Sequence, residues 1–316
     1  MRAIGLDRFG DPEVLHEIEL PEPYFGADEL FIRVEAATVN NADVLMRRYG
    51  AGATGHPPWV PGMEAAGVVE AVGPSVGARF AIGDRVSAFV IPTDPRGGAY
   101  AERIAAPADR VVLAPTNSTV AQAATFPMNG LTAQLLLDAM QLDRPGLVAV
   151  VGAAGAVGGY LVQLAREAGH GVIAIAAPAD LDLVSALGAD MFISRGSGVL
   201  NAIRDAVGGE VDAVGLTADP GLDAALVVRP GGTVASAVGF ADARQQSTAH
   251  ARKVHLTSVR VDRTMNSATR LARLRDLAEA GLLTLRVADQ LPAGKAPEAH
   301  RRLEAGGLRG RLVLRF

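Results

Sequence analysis

Two rhythms of apolar and polar positions run along this chain. Between residues 148 and 238 short apolar runs alternate with amphipathic stretches. Val148–Val151, Val172–Ala176, Met191–Ser194, Val211–Leu216 and Thr233–Val238 read as strands. Tyr160, Leu161, Leu164 and Ala165 share the packing face of a helix that stops at Gly169. Leu181–Leu187 predicts a second helix ended by Gly188, and Leu222–Val228 a third, followed by a turn at Pro230-Gly231-Gly232. Strands that are apolar on both faces, each followed by a helix, predict a parallel doubly wound sheet.

The rhythm of residues 1–122 is shorter. Leu30–Ala36, Gly67–Val72, Arg85–Val90 and Val111–Leu113 read as strands, separated by turns at Pro61-Gly62, Gly73-Pro74, Gly83-Asp84 and Gly97-Gly98. Short strands with frequent turns predict a β-rich partial barrel. Asn41–Arg47 predicts a helix, and helical character runs from Val120 through Gly130–Met140. At the far end Ala296–Ala305 predicts a helix, Gly306-Gly307 its stop, and Arg311–Phe316 a last strand. That strand has no partner nearby in sequence, so it is expected to return to the N-terminal domain. The expected class is α/β, with one domain of residues 1–122 completed by 263–316 and a second of residues 123–262.

Chemistry concentrates in Val148–Arg166. A strand breaks into Gly152, Ala153, Ala154, Gly155, Ala156, Val157 and Gly158 before the helix begins. Such a turn leaves the first N–H groups of the helix pointing outward at its positive end, where a pyrophosphate binds. Small residues let the phosphate reach the backbone. The strand–helix repeat around the turn gives this glycine pattern its meaning as a dinucleotide site.

Composition narrows the choice. The 316 residues contain no cysteine, which excludes disulfides, a catalytic thiol and Cys-ligated zinc. The six histidines (His16, His56, His170, His250, His255 and His300) show no ligand spacing, so no metal site is expected. The segment MRAIGLDRFG has no apolar signal core, and no run of about 18 apolar residues exists, which predicts a soluble, cytoplasmic protein without a membrane partner. The net charge of −4 argues against nucleic acid as a partner. The charge is uneven: from Arg252 onward 14 Lys or Arg face 6 Asp or Glu, a balance of +8 that leaves −12 elsewhere.

Several segments, in order and spacing, resemble the medium-chain dehydrogenase/reductase superfamily and its zinc-independent quinone oxidoreductases (the zeta-crystallin-like group). They are Ala36-Ala37-Thr38-Val39-Asn40 with Asp43, Pro61-Gly62-Met63-Glu64-Ala65-Ala66-Gly67, Gly83-Asp84-Arg85-Val86, Gly98-Ala99-Tyr100-Ala101-Glu102, Ala153–Gly158 with Gln163 and Arg166, and Arg229-Pro230-Gly231-Gly232. The resemblance spans essentially the whole chain. It implies a GroES-like first domain and a Rossmann second domain. Met63 stands where zinc members carry a metal-binding His, and Ala156 where the nucleotide signature usually has Gly.

The resemblance also implies site residues. Asn40 matches the Asn beside the nicotinamide ribose and the substrate, and is the first catalytic candidate; its alternative is the N-cap of the helix at Asn41–Arg47. Tyr49, placed in the loop after that helix, is the second, as a phenol that donates to a carbonyl; Leu45 stands where many relatives have their Tyr. Trp59 with Pro57-Pro58 reads either as a lid or as ordinary loop packing. Gly152, Ala154, Gly155, Ala156 and Val157 are expected around the pyrophosphate, with Thr132, Val238, Gly239, Phe240 and Arg311 as further cofactor contacts; a surface role is the alternative for Arg311.

The end of the second strand, Ala176-Ala177, lacks the acid that binds ribose hydroxyls in NAD sites, and Arg195 reads either as the partner of a 2′-phosphate or as part of a solvated turn. The expected cofactor is therefore NADPH. The expected reaction is hydride transfer to a quinone or α,β-unsaturated carbonyl bound between the domains. Alternatives are a dedicated enoyl or enone reductase of a biosynthetic pathway, or an NADPH-binding protein with little turnover. A homodimer is expected through an edge formed by Thr233–Val238 and Thr257–Val261.

Overall fold

In a computed structural model, residues 1–94, 96–218, 221, 223–240, 242–261 and 267–316 are described. In chain order, β1 (Arg2–Gly5), β2 (His16–Glu19), β3 (Glu29–Thr38), α1 (Asn41–Tyr49), β4 (Glu64–Val72), β5 (Arg85–Phe89), β6 (Arg103–Pro107), β7 (Val111–Leu113) and α2 (Val120–Ala123) lead to α3 (Pro127–Ala139). Strand–helix pairs follow: β8 (Leu147–Val151), α4 (Ala156–Glu167), β9 (Gly171–Ala176), α5 (Leu181–Ala186), β10 (Met191–Ser194) and α6 (Val199–Val207). Then come β11 (Val211–Leu216), β12 (Val228–Ser236), α7 (Ala243–Arg252), β13 (His255–Ser258), α8 (Ser267–Glu279), β14 (Val287–Pro292), α9 (Ala296–Ala305) and β15 (Arg311–Arg315).

The chain divides into two compact units. The first is Met1–Met128 with Met265–Gly281 and Leu285–Phe316; the second is Asn129–Thr264 with Leu282–Thr284. In the first, β3 alternates buried and half-buried side chains, as a strand facing a core does. Its sheet runs β14-β15-β3-β4-β5-β7, with β6 also paired to β3. The last strand does return to the N-terminal region: Val313, Leu314 and Arg315 pair antiparallel with Thr38, Ala37 and Ala36. Leu30, Ile32, Val69, Ile104, Tyr100 and Leu312 belong to the core beneath this sheet.

The second unit is the doubly wound sheet. Its six strands are ordered β10-β9-β8-β11-β12-β13, and every pair is parallel. The order reverses between β8 and β11, which makes the carboxyl ends of those strands the switch point where such folds bind ligands. Ala149, Ile173, Val214, Val227 and Val234 pack in its core.

Several boundaries differ from the sequence reading, each for a local reason. The helical run from Val120 to Met140 is broken: Thr119 and Gln122 cap the start of the short α2, which ends at Ala123, and Pro127, which has no N–H to donate back to α2, opens a new helix. α1 runs two residues further than Arg47, so Tyr49 is its last helical residue and not part of a loop; Gly50, left-handed at φ 66, ends it. Of Leu222–Val228 only a single 3₁₀ turn at Ala224–Val227 forms, and Leu222 lies outside the described residues.

Pro230-Gly231-Gly232 does not separate two elements. It is a bulge inside β12, where the register with β11 jumps from Val211/Val228 to Ala213/Thr233. β12 stops at Ser236, two residues before Val238. It is also not an edge, because β13 pairs along it from Thr233 to Ser236. The two edges of this sheet are β10 and β13. Among the described residues no helix is long and apolar enough to cross a membrane.

Candidate functional site

In the second unit the site begins with backbone geometry. Gly152 follows β8 with φ 80, and a Cβ there would stand 2.7 Å from Thr217 Oγ1. Gly155 is the N-cap of α4. A Cβ on Gly158 would approach Gly152 O to 2.1 Å, so only glycine lets the first turn of α4 lie against the end of β8. Gly155 N–H donates to Gly152 O at 2.9 Å and closes the turn. Thr217, at the carboxyl end of β11, donates its hydroxyl to Val151 O at 2.7 Å and pins the other side of the switch point. The result is a concave backbone surface at the positive end of a helix, and Gly152 to Val157 bring no side-chain charge to it. Ala156 takes the first helical position, where a methyl group suits the helix.

Arg195 and Val238–Phe240 follow strands of the same sheet at their carboxyl ends, whereas Thr132 lies in α3 and Arg311 in β15 of the first unit. Arg195 follows β10 and is exposed; its N–H donates to Ala176 O at 2.8 Å, so it stands beside the end of β9. Ala177 is the residue after β9, and Asp180, at the start of α5, is buried. Val238 is half exposed just past β12, and Ser236 Oγ donates to Gly239 O at 2.9 Å, folding that segment back. Phe240 packs partly into the core of this unit. Thr132 lies half-buried in α3, which is continuous from Pro127.

The first unit buries a chain of polar side chains instead. Glu64 has no exposed surface; its Oε1 accepts from Thr38 Oγ1 at 2.5 Å, Arg311 Nη2 at 3.0 Å and Asn40 Nδ2 at 3.4 Å. Its Oε2 accepts from Met128 N–H, in the first turn of α3, at 2.8 Å. Arg311 Nη2 also donates to Thr38 Oγ1 at 2.9 Å. Burial pushes the Glu64 carboxyl up, and the Arg311 guanidinium pulls against that shift.

Next along α1, the buried Asp43 accepts from the N–H groups of Asn40 and Gly62, both at 2.8 Å. Tyr100 Oη lies 3.4 Å from Asp43 Oδ2 and 3.2 Å from His300 Nε2. Burial pushes the Asp43 carboxyl up to about 6 and the Tyr100 phenol well above its ordinary range. Burial, with the nearby Arg47 charge, pushes His300 down to about 3, so its ring is neutral.

These contacts place several of the candidate residues. Asn40 is 1% exposed and is the N-cap of α1, with its amide nitrogen turned inward to Thr38 and Glu64. Arg311 is not a surface arginine: it is 6% exposed and committed to Glu64 and Thr38. Tyr49 is 68% exposed at the far end of α1 from Asn40. Trp59 stacks on Phe9 and exchanges backbone hydrogen bonds with Leu6. The second unit gathers Gly152–Val157, Arg195 and Val238–Phe240 at one sheet edge; the first gathers Asn40 and Arg311 through Glu64. Glu64, Asp43 and Thr38 stand in the motifs without being singled out there, and Thr217, the residue directly after the run Val211–Leu216, carries no signal in the sequence. Among the described residues no group of three His, Cys, Asp or Glu side chains is arranged to hold a metal ion.

Comparison with known proteins gives the same architecture. Residues 26–116 match the alcohol dehydrogenase GroES-like domain and residues 187–314 the zinc-binding dehydrogenase family. The chain is 32% identical to the chloroplastic quinone-oxidoreductase QR1 of Triphysaria versicolor, over 70% of this chain and 69% of that protein. It is 39% identical to the human synaptic vesicle membrane protein VAT-1 homolog-like, over 52% of this chain but only 38% of that longer protein. An NAD-dependent alcohol dehydrogenase superimposes with a TM-score of 0.89 at 30% identity, covering all of both chains. A mycobacterial protein solved with NADPH superimposes with a TM-score of 0.88 at 31% identity, again over both whole chains.

Proposed function

The chain belongs to the medium-chain dehydrogenase/reductase superfamily, in its quinone oxidoreductase group, and on that premise we propose that it transfers hydride from NADPH to a quinone or an α,β-unsaturated carbonyl. The observation that carries the cofactor part is the close turn at Gly152 and Gly158, which a Cβ at either position would force apart. The backbone of Gly152–Val157 and the start of α4 would hold the pyrophosphate. Ala176 and Ala177 leave no carboxylate at the end of β9, and the exposed Arg195 beside it supplies the charge that a 2′-phosphate requires. Thr132, Val238, Gly239 and Phe240 complete the proposed cofactor contacts.

The cofactor supplies the hydride, and the protein's part is to hold and orient. Asn40, fixed through Thr38, Glu64 and Arg311, is the proposed residue of the first unit closest to the chemistry. Its inward amide, bonded to Thr38 and Glu64, supports a role in orienting the nicotinamide ribose and the acceptor. Arg311 acts behind it, through Glu64. Tyr49 belongs to the acceptor side. A homodimer built on the edge strand β13 is part of the proposal, and a monomeric mass in sedimentation would remove it.

The direct test is loss of reduced-nicotinamide absorbance with benzoquinone or phenanthrenequinone, for NADPH and NADH, in the parent and in Gly158→Val. Turnover faster with NADPH, and absent from the variant, is the expected result. Equal rates with both cofactors would overturn the NADPH assignment. Cofactor binding without turnover on any quinone or enone would leave a dinucleotide-binding protein.

A further inference from the structure

Asn40 is gripped twice, by two different carboxylates. Its side chain donates to Glu64 Oε1 at 3.4 Å, and its backbone N–H donates to Asp43 Oδ2 at 2.8 Å. The other oxygen of Asp43, Oδ1, accepts from Gly62 N–H at 2.8 Å. One carboxylate on the first turn of α1 therefore ties the junction of β3 and α1 to the segment that leads into β4. Glu64 lies two residues past Gly62, so both grips on Asn40 converge on the same short stretch.

The far side of this clamp is itself fixed. Gly62 holds a φ of 111, and a Cβ there would stand 2.7 Å from Ala99 N and from Tyr100 N. Ala99 N–H donates to Gly62 O and Tyr100 N–H to Pro61 O, both at 2.9 Å. Asp43 has no exposed surface, so bulk water does not compete for its oxygens. Tyr100 Oη stands 3.4 Å from Oδ2, with His300 Nε2 of α9 beyond it, 3.2 Å from that phenol. Arg311 of β15 favours the charged carboxylate and Glu64 of β4 opposes it. Arg47, one turn along α1, pairs with Glu304.

We propose that Asp43 is a positioning residue for hydride transfer: its ionised carboxylate, by holding the Asn40 and Gly62 N–H groups together, sets where Asn40 stands against the nicotinamide ribose and the acceptor. The inference rests on the reductase reading above and adds to it the group that acts through Asn40. A carboxylate offers one acceptor oxygen to each amide. A protonated carboxyl turns one oxygen into a donor, which leaves one of the two buried N–H groups without its bond. Burial raises Asp43 to about 6, so the clamp changes state within the range in which turnover is measured.

Two measurements separate the clamp from the reaction. The backbone amide resonances of Asn40 and Gly62 are followed by NMR in the full chain between about pH 5 and pH 8. Both are expected to move with one common midpoint of about 6 in the parent and to stay still in Asp43→Asn. Over the same range kcat for NADPH and phenanthrenequinone should fall on the acid side with that midpoint. In Asp43→Asn kcat should be lower by about ten- to hundredfold and independent of pH, while Kd for NADPH changes by less than about twofold. Should Asp43→Asn not fold, the parent alone decides. Resonances that stay fixed, or that move with separate midpoints, would overturn the clamp. A common midpoint with kcat flat across it would overturn the positioning role and leave the reductase reading standing. A common midpoint without NADPH oxidation on any quinone or enone supports the clamp and sinks the reductase reading.

Discussion

In the second unit the site is made of backbone: Gly152, Gly155 and Gly158 draw a helix start against a strand end, and Gly152 to Val157 carry no charge. In the first unit the corresponding work falls to buried side chains, with Glu64 joining Thr38, Asn40 and Arg311 and with Asp43 lying against Tyr100. Backbone needs only small neighbours to become a binding surface, and small neighbours cost little to bury. Buried charges hold a shape well, but each of them depends on its partner.

The sharpest way to break this contrast is to remove one partner of the buried pair. Arg311→Met alone is expected to cost about 3–5 kcal/mol in urea unfolding, and Glu64→Gln/Arg311→Met to recover most of that loss. Two single variants that each cost little and add independently would show that the pair holds nothing.

Acid should separate the two ends of the polar chain. His300 is held neutral, its pKa near 3 instead of 6.5, so its contribution is present above pH 6.5 and is lost as pH falls toward 3. Asp43 has the opposite sign: raised from 3.8 to about 6, its contribution is full below 3.8 and is lost as pH rises through 6. Between about pH 7 and pH 4.5, His300→Gln should therefore lose roughly 2–3 kcal/mol less stability than the parent, and Asp43→Asn roughly 2 kcal/mol more. Parallel curves of melting temperature against pH for all three proteins would contradict both assignments.

In the backbone-built site, Gly158→Ala should cost about 1–3 kcal/mol by overpacking and abolish dinucleotide binding. Gly198→Ala, where a Cβ meets nothing within 4 Å, is the control and should leave binding intact. The smallest expected effect is a change of preference. Ala177→Asp places a carboxylate at the end of β9 and should shift the ratio of kcat/KM for NADPH over NADH toward NADH by about tenfold. An unmoved ratio would mean that neither Ala177 nor Arg195 faces the ribose.

The same contrast explains what could be read from the sequence. The glycine turn is legible because its parts are consecutive, and the strand–helix alternation around it fixes the sheet. Thr38, Glu64 and Arg311 meet across separations of 26 and 247 residues, so no local spacing shows that one carboxylate joins them. Asn40 occupies the N-cap position of α1, and no local spacing shows that its amide turns inward to Thr38 and Glu64. The Pro230-Gly231-Gly232 bulge was read as a break because the local signal is a turn, while two flanking strands hold β12 in line. Gly50, the helix stop, follows Tyr49, so the helix runs on to Tyr49 although no buried apolar position after Met46 marks its last turn.

One connection has a consequence for how the molecule is made. β3 needs β15 beside it, and the two are separated by nearly the whole chain. As a ribosome delivers residues in order, the first unit can gather β3, β4, β5 and β6 early, but its sheet stays open on the β15 side until residues 311–315 emerge. By then residues 129–264, almost all of the second unit, have long been available. The unit encoded second is thus the first that can be completed, and the nascent N-terminal sheet must wait with an unpaired strand that invites wrong partners.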